Sequence, residues 1–107
     1  MFYQIKRIVV KEGFANQVVE RFSKRGGLLE QQVGFIDKQV LVKKVRRGDE
    51  EVMVVIRWES EEDWKNWEMS PEHIAGHKAN RGIPKPEYIL ESSQDLYYTA
   101  TSEGQNQ

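Results

Sequence analysis

Glu51-Val52-Met53-Val54-Val55-Ile56-Arg57-Trp58 reads as a β-strand with apolar residues in both of its side-chain rows. Val52, Val54, Ile56 and Trp58 fall on one side, and Met53 and Val55 on the other, because successive strand side chains alternate. Before it, Arg46-Arg47-Gly48-Asp49-Glu50 is a polar, glycine-containing hairpin turn, and Phe35 to Val45 is the preceding strand. In that strand Leu41 opposes Val40 and Val42. Strands apolar on both sides are buried on both sides. Helices laid on one face of a sheet leave the other bare. A second subunit's sheet is therefore expected to cover it, making a homodimer with two sheets face to face or curled into a shared barrel.

Toward the N-terminus, Phe2 to Val10 is another strand, with Tyr3, Ile5 and Val9 on one face and Ile8 and Val10 on the other. After Gly13 the period changes. Phe14, Val18 and Phe22 recur every four residues, the stripe of an amphipathic helix, which Gly26-Gly27 is expected to end after Lys24 and Arg25. Past Trp58, Ser60-Glu61-Glu62-Asp63 resembles a capping box and opens a short helix carrying Trp64 and Trp67. Ser70-Pro71-Glu72 starts a further helix, a cap followed by proline at its first position, with His73 and His77 on one face. Gly82 to Pro86 is a loop, and Tyr88 to Tyr98 a fourth strand, expected to break near Ser92-Ser93. Residues 1–100 form one domain, and 101–107 are a polar tail expected to be disordered. The order is βαββαβ, an α+β chain with a ferredoxin-like antiparallel sheet.

Composition removes several classes of function. The 107 residues are enough for one domain with a real core. Apolar residues make up 38% and charged residues 31%, a balance ordinary for a soluble protein. A net charge of −1 argues against holding a nucleic-acid backbone. With no cysteine there is no disulfide scaffold, thiolate site or cysteine nucleophile. Lys6 and Arg7 interrupt the N-terminal apolar pattern, and no segment approaches the ~20 apolar residues of a membrane span. A cytoplasmic protein with no membrane partner is the expectation.

The chemistry-bearing segment is Trp64-Lys65-Asn66-Trp67-Glu68-Met69-Ser70-Pro71-Glu72-His73-Ile74-Ala75-Gly76-His77-Lys78, which holds both histidines and two of the three tryptophans. Imidazole is the commonest protein ligand for a metal and an axial ligand of haem. Aromatics on such helices more often pack a core, and a histidine near a helix C-terminus is well placed simply as a cation. His73 and His77 also have the spacing of a chelating pair. A zinc site is not expected from it, because no third ligand is evident and Glu72 precedes His73.

The strand order, Gly34-Phe35 opening strand two, Trp58 closing strand three, and Trp67 followed by Ile74-Ala75-Gly76-His77-Lys78 resemble the haem-degrading monooxygenases of the antibiotic-biosynthesis monooxygenase superfamily. Bacillus-type members look most similar. The resemblance runs from the first strand to about Tyr98, and it implies a dimeric α/β barrel. It implies that His77 is the proximal ligand of the haem iron and that Trp67 crowds the porphyrin into a ruffled shape. The family's third site residue is an asparagine on the first strand. Aligned through Gly13, this chain has Lys6 there, with Arg7 one slip away. Lys6 would donate a hydrogen bond on the distal side or meet a propionate. Arg21 and Phe22 would supply pocket wall, and Lys78, Arg81 and Lys85 would meet propionates or form a solvated basic loop. The implied reaction consumes haem as substrate and cofactor, with dioxygen and an external electron donor delivered by a reductase, and it releases iron. Two other readings stay open: a cofactor-independent monooxygenase acting on an aromatic substrate, and a non-catalytic dimeric haem-binding protein.

Overall fold

A computed structural model describes residues 1–23, 27–82 and 84–104. The elements are β1 (Phe2–Val10), α1 (Ala15–Phe22), a 3-10 turn (Leu29–Gln31), β2 (Phe35–Val42), β3 (Glu50–Trp58), α2 (Glu61–Glu68), α3 (Pro71–Asn80) and β4 (Ile89–Tyr98). The four strands form one antiparallel sheet in the order β2-β3-β1-β4, the ferredoxin-like arrangement. No helix among the described residues is long and apolar enough to cross a membrane.

Strand alternation sorts the side chains. Register pairs Phe2 with Trp58, Gln4 with Ile56, Lys6 with Val54 and Ile8 with Val52, so these share the helix-covered face. Trp58, Val54, Val52 and Val10 are completely buried there. Lys6 is the charged residue that β1 contributes to this face. Gln4 is the buried polar one; its Oε1 accepts from Trp58 Nε1 at 3.4 Å and its Nε2 donates to Gln94 at 3.2 Å. Those bonds satisfy polar groups that would otherwise be costly to bury.

The opposite face carries Tyr3, Ile5, Val9, Met53, Val55, Leu41 and Tyr97 in register, and no helix among the described residues covers it. Leu41 and Tyr97 are 46% and 51% exposed. Ion pairs stand among these apolar residues: Arg7 with Glu51 at 2.9 Å and Glu91 at 3.6 Å, and Arg57 with Asp37 at 2.5 Å.

Three local expectations are corrected. First, α1 stops at Phe22 with Ser23 as its cap, short of Gly26-Gly27. Ser23 Oγ donates to the Val19 carbonyl at 2.5 Å, a side-chain bond that competes with helical continuation. Lys24, Arg25 and Gly26 lie outside the described residues. Second, β2 ends at Val42 rather than Val45. Third, β4 runs unbroken through Ser92-Ser93. The irregularity comes earlier, where Val10 pairs with Ile89 and Val9 with Glu91, leaving Leu90 as the extra residue of a bulge. Of the expected disordered tail, residues 101–104 are exposed and irregular, and 105–107 lie outside the described residues.

Two contacts join elements far apart in sequence. The α1 N-terminus has Phe14 at its cap position and no side-chain cap of its own. Glu50 at the start of β3 fills the role, its Oε1 accepting from the Gly13 and Ala15 amides at 3.0 and 2.9 Å. Gly34, with φ +84°, enters β2 so close to Asp63 that a Cβ would overlap the carboxylate. Only glycine tolerates both that backbone and that approach.

Candidate active site

Three helical segments and two strands build the region. Ser60 caps α2 by accepting from the Asp63 amide at 3.2 Å, as its sequence pattern implied. Trp64, Trp67 and Glu68, three and four residues apart, share one helix face. Trp64 meets Phe2 with ring centroids 5.4 Å apart and planes tilted by 39°, and it packs on the Trp58 core. Its buried indole N–H has no partner among the described residues. Trp67 lies at the edge of the same core and presents its ring to His73, 4.8 Å away.

Ser70 then turns the chain. It caps α3 by accepting from the His73 amide at 3.2 Å, and its hydroxyl donates back to the Trp67 carbonyl at 2.7 Å. This corner brings the last residue of α2 onto the histidine face of α3. Glu68 Oε2 contacts His73 Nε2, and His73 Nε2 lies 2.9 Å from His77 Nε2. The absence of a third ligand expected from sequence is therefore corrected: Glu68 joins the two imidazoles, with ligand atoms all within 4.8 Å of one another. Burial pushes the His73 imidazole below its ordinary range; Glu68 opposes that shift, while His77 and Lys6 add to it. His77 is exposed.

A cavity of about 660 Å³, open to solvent, lies between α1, the loop after α3 and β4; Trp67, Glu68, His73 and His77 are not among its lining residues. Lys6, Ile8, Arg21 and Phe22 line one side; Pro84, Lys85, Ile89, Ser92 and Gln94 are among those lining the other. Lys6 Nζ sits 5.5 Å from the Phe22 ring centroid and Arg21 Cζ 5.7 Å from it, both in cation–π range. Burial lowers the Lys6 amine's pKa below the usual lysine range; Glu68 pulls the other way, and Arg21 and Lys38 push with burial. Lys6 thus links cavity and histidine cluster electrically.

Alternation puts Lys6 and Arg7 on opposite faces of the sheet. Lys6 faces the cavity, whereas Arg7 points to the other side of the sheet and is held by Glu51 and Glu91. Of the remaining expected site residues, Arg21 and Phe22 line the cavity. Trp67 and His77 stand in the adjacent cluster. Lys78 and Arg81 do neither: both are exposed, on α3 and at its C-terminal cap, and neither lines the cavity. Lys85 takes that place, its Nζ donating to Ser92 Oγ at 3.3 Å. Sequence reasoning missed Glu68, and it also missed Ser92 and Gln94. The β4 pair stands opposite Ile8 and Lys6 in register, visible only once β4 is known to border β1.

A family model described as antibiotic biosynthesis monooxygenase matches residues 1–79. Heme-degrading monooxygenase HmoA of Bacillus subtilis (strain 168) is 58% identical over 98 residues, 92% of this chain and 90% of that one. A solved structure from Bacillus cereus, described as an antibiotic biosynthesis monooxygenase, superposes with a TM-score of 0.85 at 53% identity, covering 99% of this chain and 97% of that one. The heme-degrader MhuD of Mycobacterium tuberculosis, solved with two hemes in its active site, superposes at 0.66 with 25% identity over 97% of this chain and 100% of that one. On the match over residues 1–79 and the shared sheet and helix order, this chain belongs to the antibiotic biosynthesis monooxygenase family.

Proposed function

We propose that the chain is a haem-degrading monooxygenase that works as a homodimer. The supporting observation is the pairing of a solvent-open cavity, walled by Phe22 and the cations Lys6, Arg21 and Lys85, with an exposed imidazole in the neighbouring cluster. A relative 58% identical carries the name heme-degrading monooxygenase. The cavity suits the substrate, with an apolar ring wall, cations for two carboxylates and a volume in the usual range of ligand sites.

In this reading His77 ligates the iron and Trp67 presses on the porphyrin from the α2 side, distorting the ring. Bound haem supplies the redox chemistry with dioxygen and electrons from an external, cytoplasmic reductase, and is itself opened with loss of iron. The chain's own residues bind, orient and distort. Phe22 packs on the ring, and Arg21 and Lys85 meet carboxylates in place of Lys78 and Arg81. Lys6 holds its proton less firmly than an ordinary lysine and offers a donor where the family's asparagine stands. A second copy covers the open sheet face, since half-exposed Leu41 and Tyr97 continue an apolar row that a lone chain leaves wet.

The presence of Lys6 also favours a second reading, a haem-binding dimer without turnover. One experiment separates the two. Titrated with haem, wild type is expected to develop a Soret band that His77→Ala lacks, and adding ascorbate is expected to bleach it with release of iron. A stable Soret band under ascorbate selects the non-catalytic reading. No haem binding at micromolar protein overturns both.

A further inference from the structure

Glu68, His73 and His77 have a hydrogen-bonding problem that a proton cannot solve. His73 Nε2 touches both the Glu68 carboxylate and His77 Nε2, the latter at 2.9 Å. A ring nitrogen carries at most one hydrogen, so one N–H faces two acceptors, or two N–H groups point at each other. With the hydrogen on His77 instead, the Glu68 carboxylate meets the His73 lone pair, so no tautomer gives each of the converging atoms its own hydrogen bond.

We propose that Glu68, His73 and His77 form a binding site for a divalent first-row transition-metal ion of the zinc class, and that this ion and haem iron exclude one another. Two imidazoles and one carboxylate are the donor set of catalytic zinc sites, which keep a further position open. Ligands each ~2.0–2.1 Å from a zinc ion lie at most ~4 Å apart, and the two imidazole nitrogens meet that limit. Glu68 offsets the ion's charge against Lys6, the cation that faces the cluster. The Ser70 hydrogen bonds fix the corner between the helices, and exposed His77 leaves an entry path. The exclusion, though not the site, rests on the haem reading. A neutral imidazole has one ligating lone pair, so His77 serves one metal at a time.

Metal-free protein titrated with zinc chloride by calorimetry tests the site. One zinc per chain is expected in wild type, with affinity at least tenfold weaker in Glu68→Gln, His73→Ala and His77→Ala. Glu68→Gln preserves size, and an unchanged thermal melt certifies its fold. No zinc uptake by wild type, or equal uptake by Glu68→Gln, overturns the proposal. Zinc-loaded protein is then expected to bind haem at least tenfold more weakly than zinc-free protein; equal haem affinity overturns the exclusion. The calorimetry contains no haem, so a failure of the haem reading leaves the zinc result standing, and the reverse holds as well.

Discussion

The two faces of the sheet are built from the same strands yet solve opposite problems. The helix-covered face carries the buried apolar residues from Val10 to Trp58, closed by α1 and α2, and its charged Lys6 opens onto the cavity. The open face is comparably apolar at Ile5, Val55 and Met53, but Arg7 and Arg57 stand among these residues paired with carboxylates. A charge on the closed face marks a place where the core gives way to a site. On the open face both arginines are neutralised by carboxylates, which suits a surface that the proposed second copy would cover.

The contrast can be broken most severely at Trp58. Its complete burial makes Trp58→Ala cost about 3–5 kcal/mol by the usual large-to-small arithmetic, read as a shift in the urea midpoint. A smaller loss would mean that the closed face collapses readily and is not the rigid half.

Val55→Asp attacks the other face. It sets an unpaired carboxylate in the apolar row, so the proposed dimer is expected to weaken by roughly 2–3 kcal/mol while the isolated chain keeps its fold. Sedimentation at micromolar concentration reads the change in mass. An unaltered mass would remove the face from the dimer interface.

Lys6→Met sharpens the comparison from the closed side. Replacing a half-buried amine in an apolar row by a side chain of similar length is expected to stabilise the protein by about 1 kcal/mol in thermal melts. The gain would identify Lys6 as a residue kept at a cost to stability, as functional groups often are.

The smallest effect lies at Asp37. Arg57, by hydrogen bond and charge, holds its carboxyl below the ordinary aspartate value. The unfolded chain therefore binds that proton more readily, so the pair stabilises the fold above the ordinary value and loses its contribution as pH falls through the depressed one. Both groups are about one-third exposed, which keeps the effect under ~1 kcal/mol. Asp37→Asn should narrow the difference in urea midpoint between pH 7 and pH 3 by that amount.

What the residues dictated on their own is the local frame. Strand alternation put Lys6 and Arg7 on opposite faces, serine caps opened α2 and α3, and i, i+4 spacing placed His73 beside His77, all consequences of backbone periodicity that need no other element. Tertiary structure alone decided which face is which, that Glu50 caps a helix thirty-five residues away, that Glu68 reaches the histidines around the Ser70 corner, and that Lys85 rather than Lys78 or Arg81 lines the cavity. Those outcomes depend on strand order, helix crossing and loop direction, which are set by how the whole chain buries its apolar surface rather than by any short run of residues.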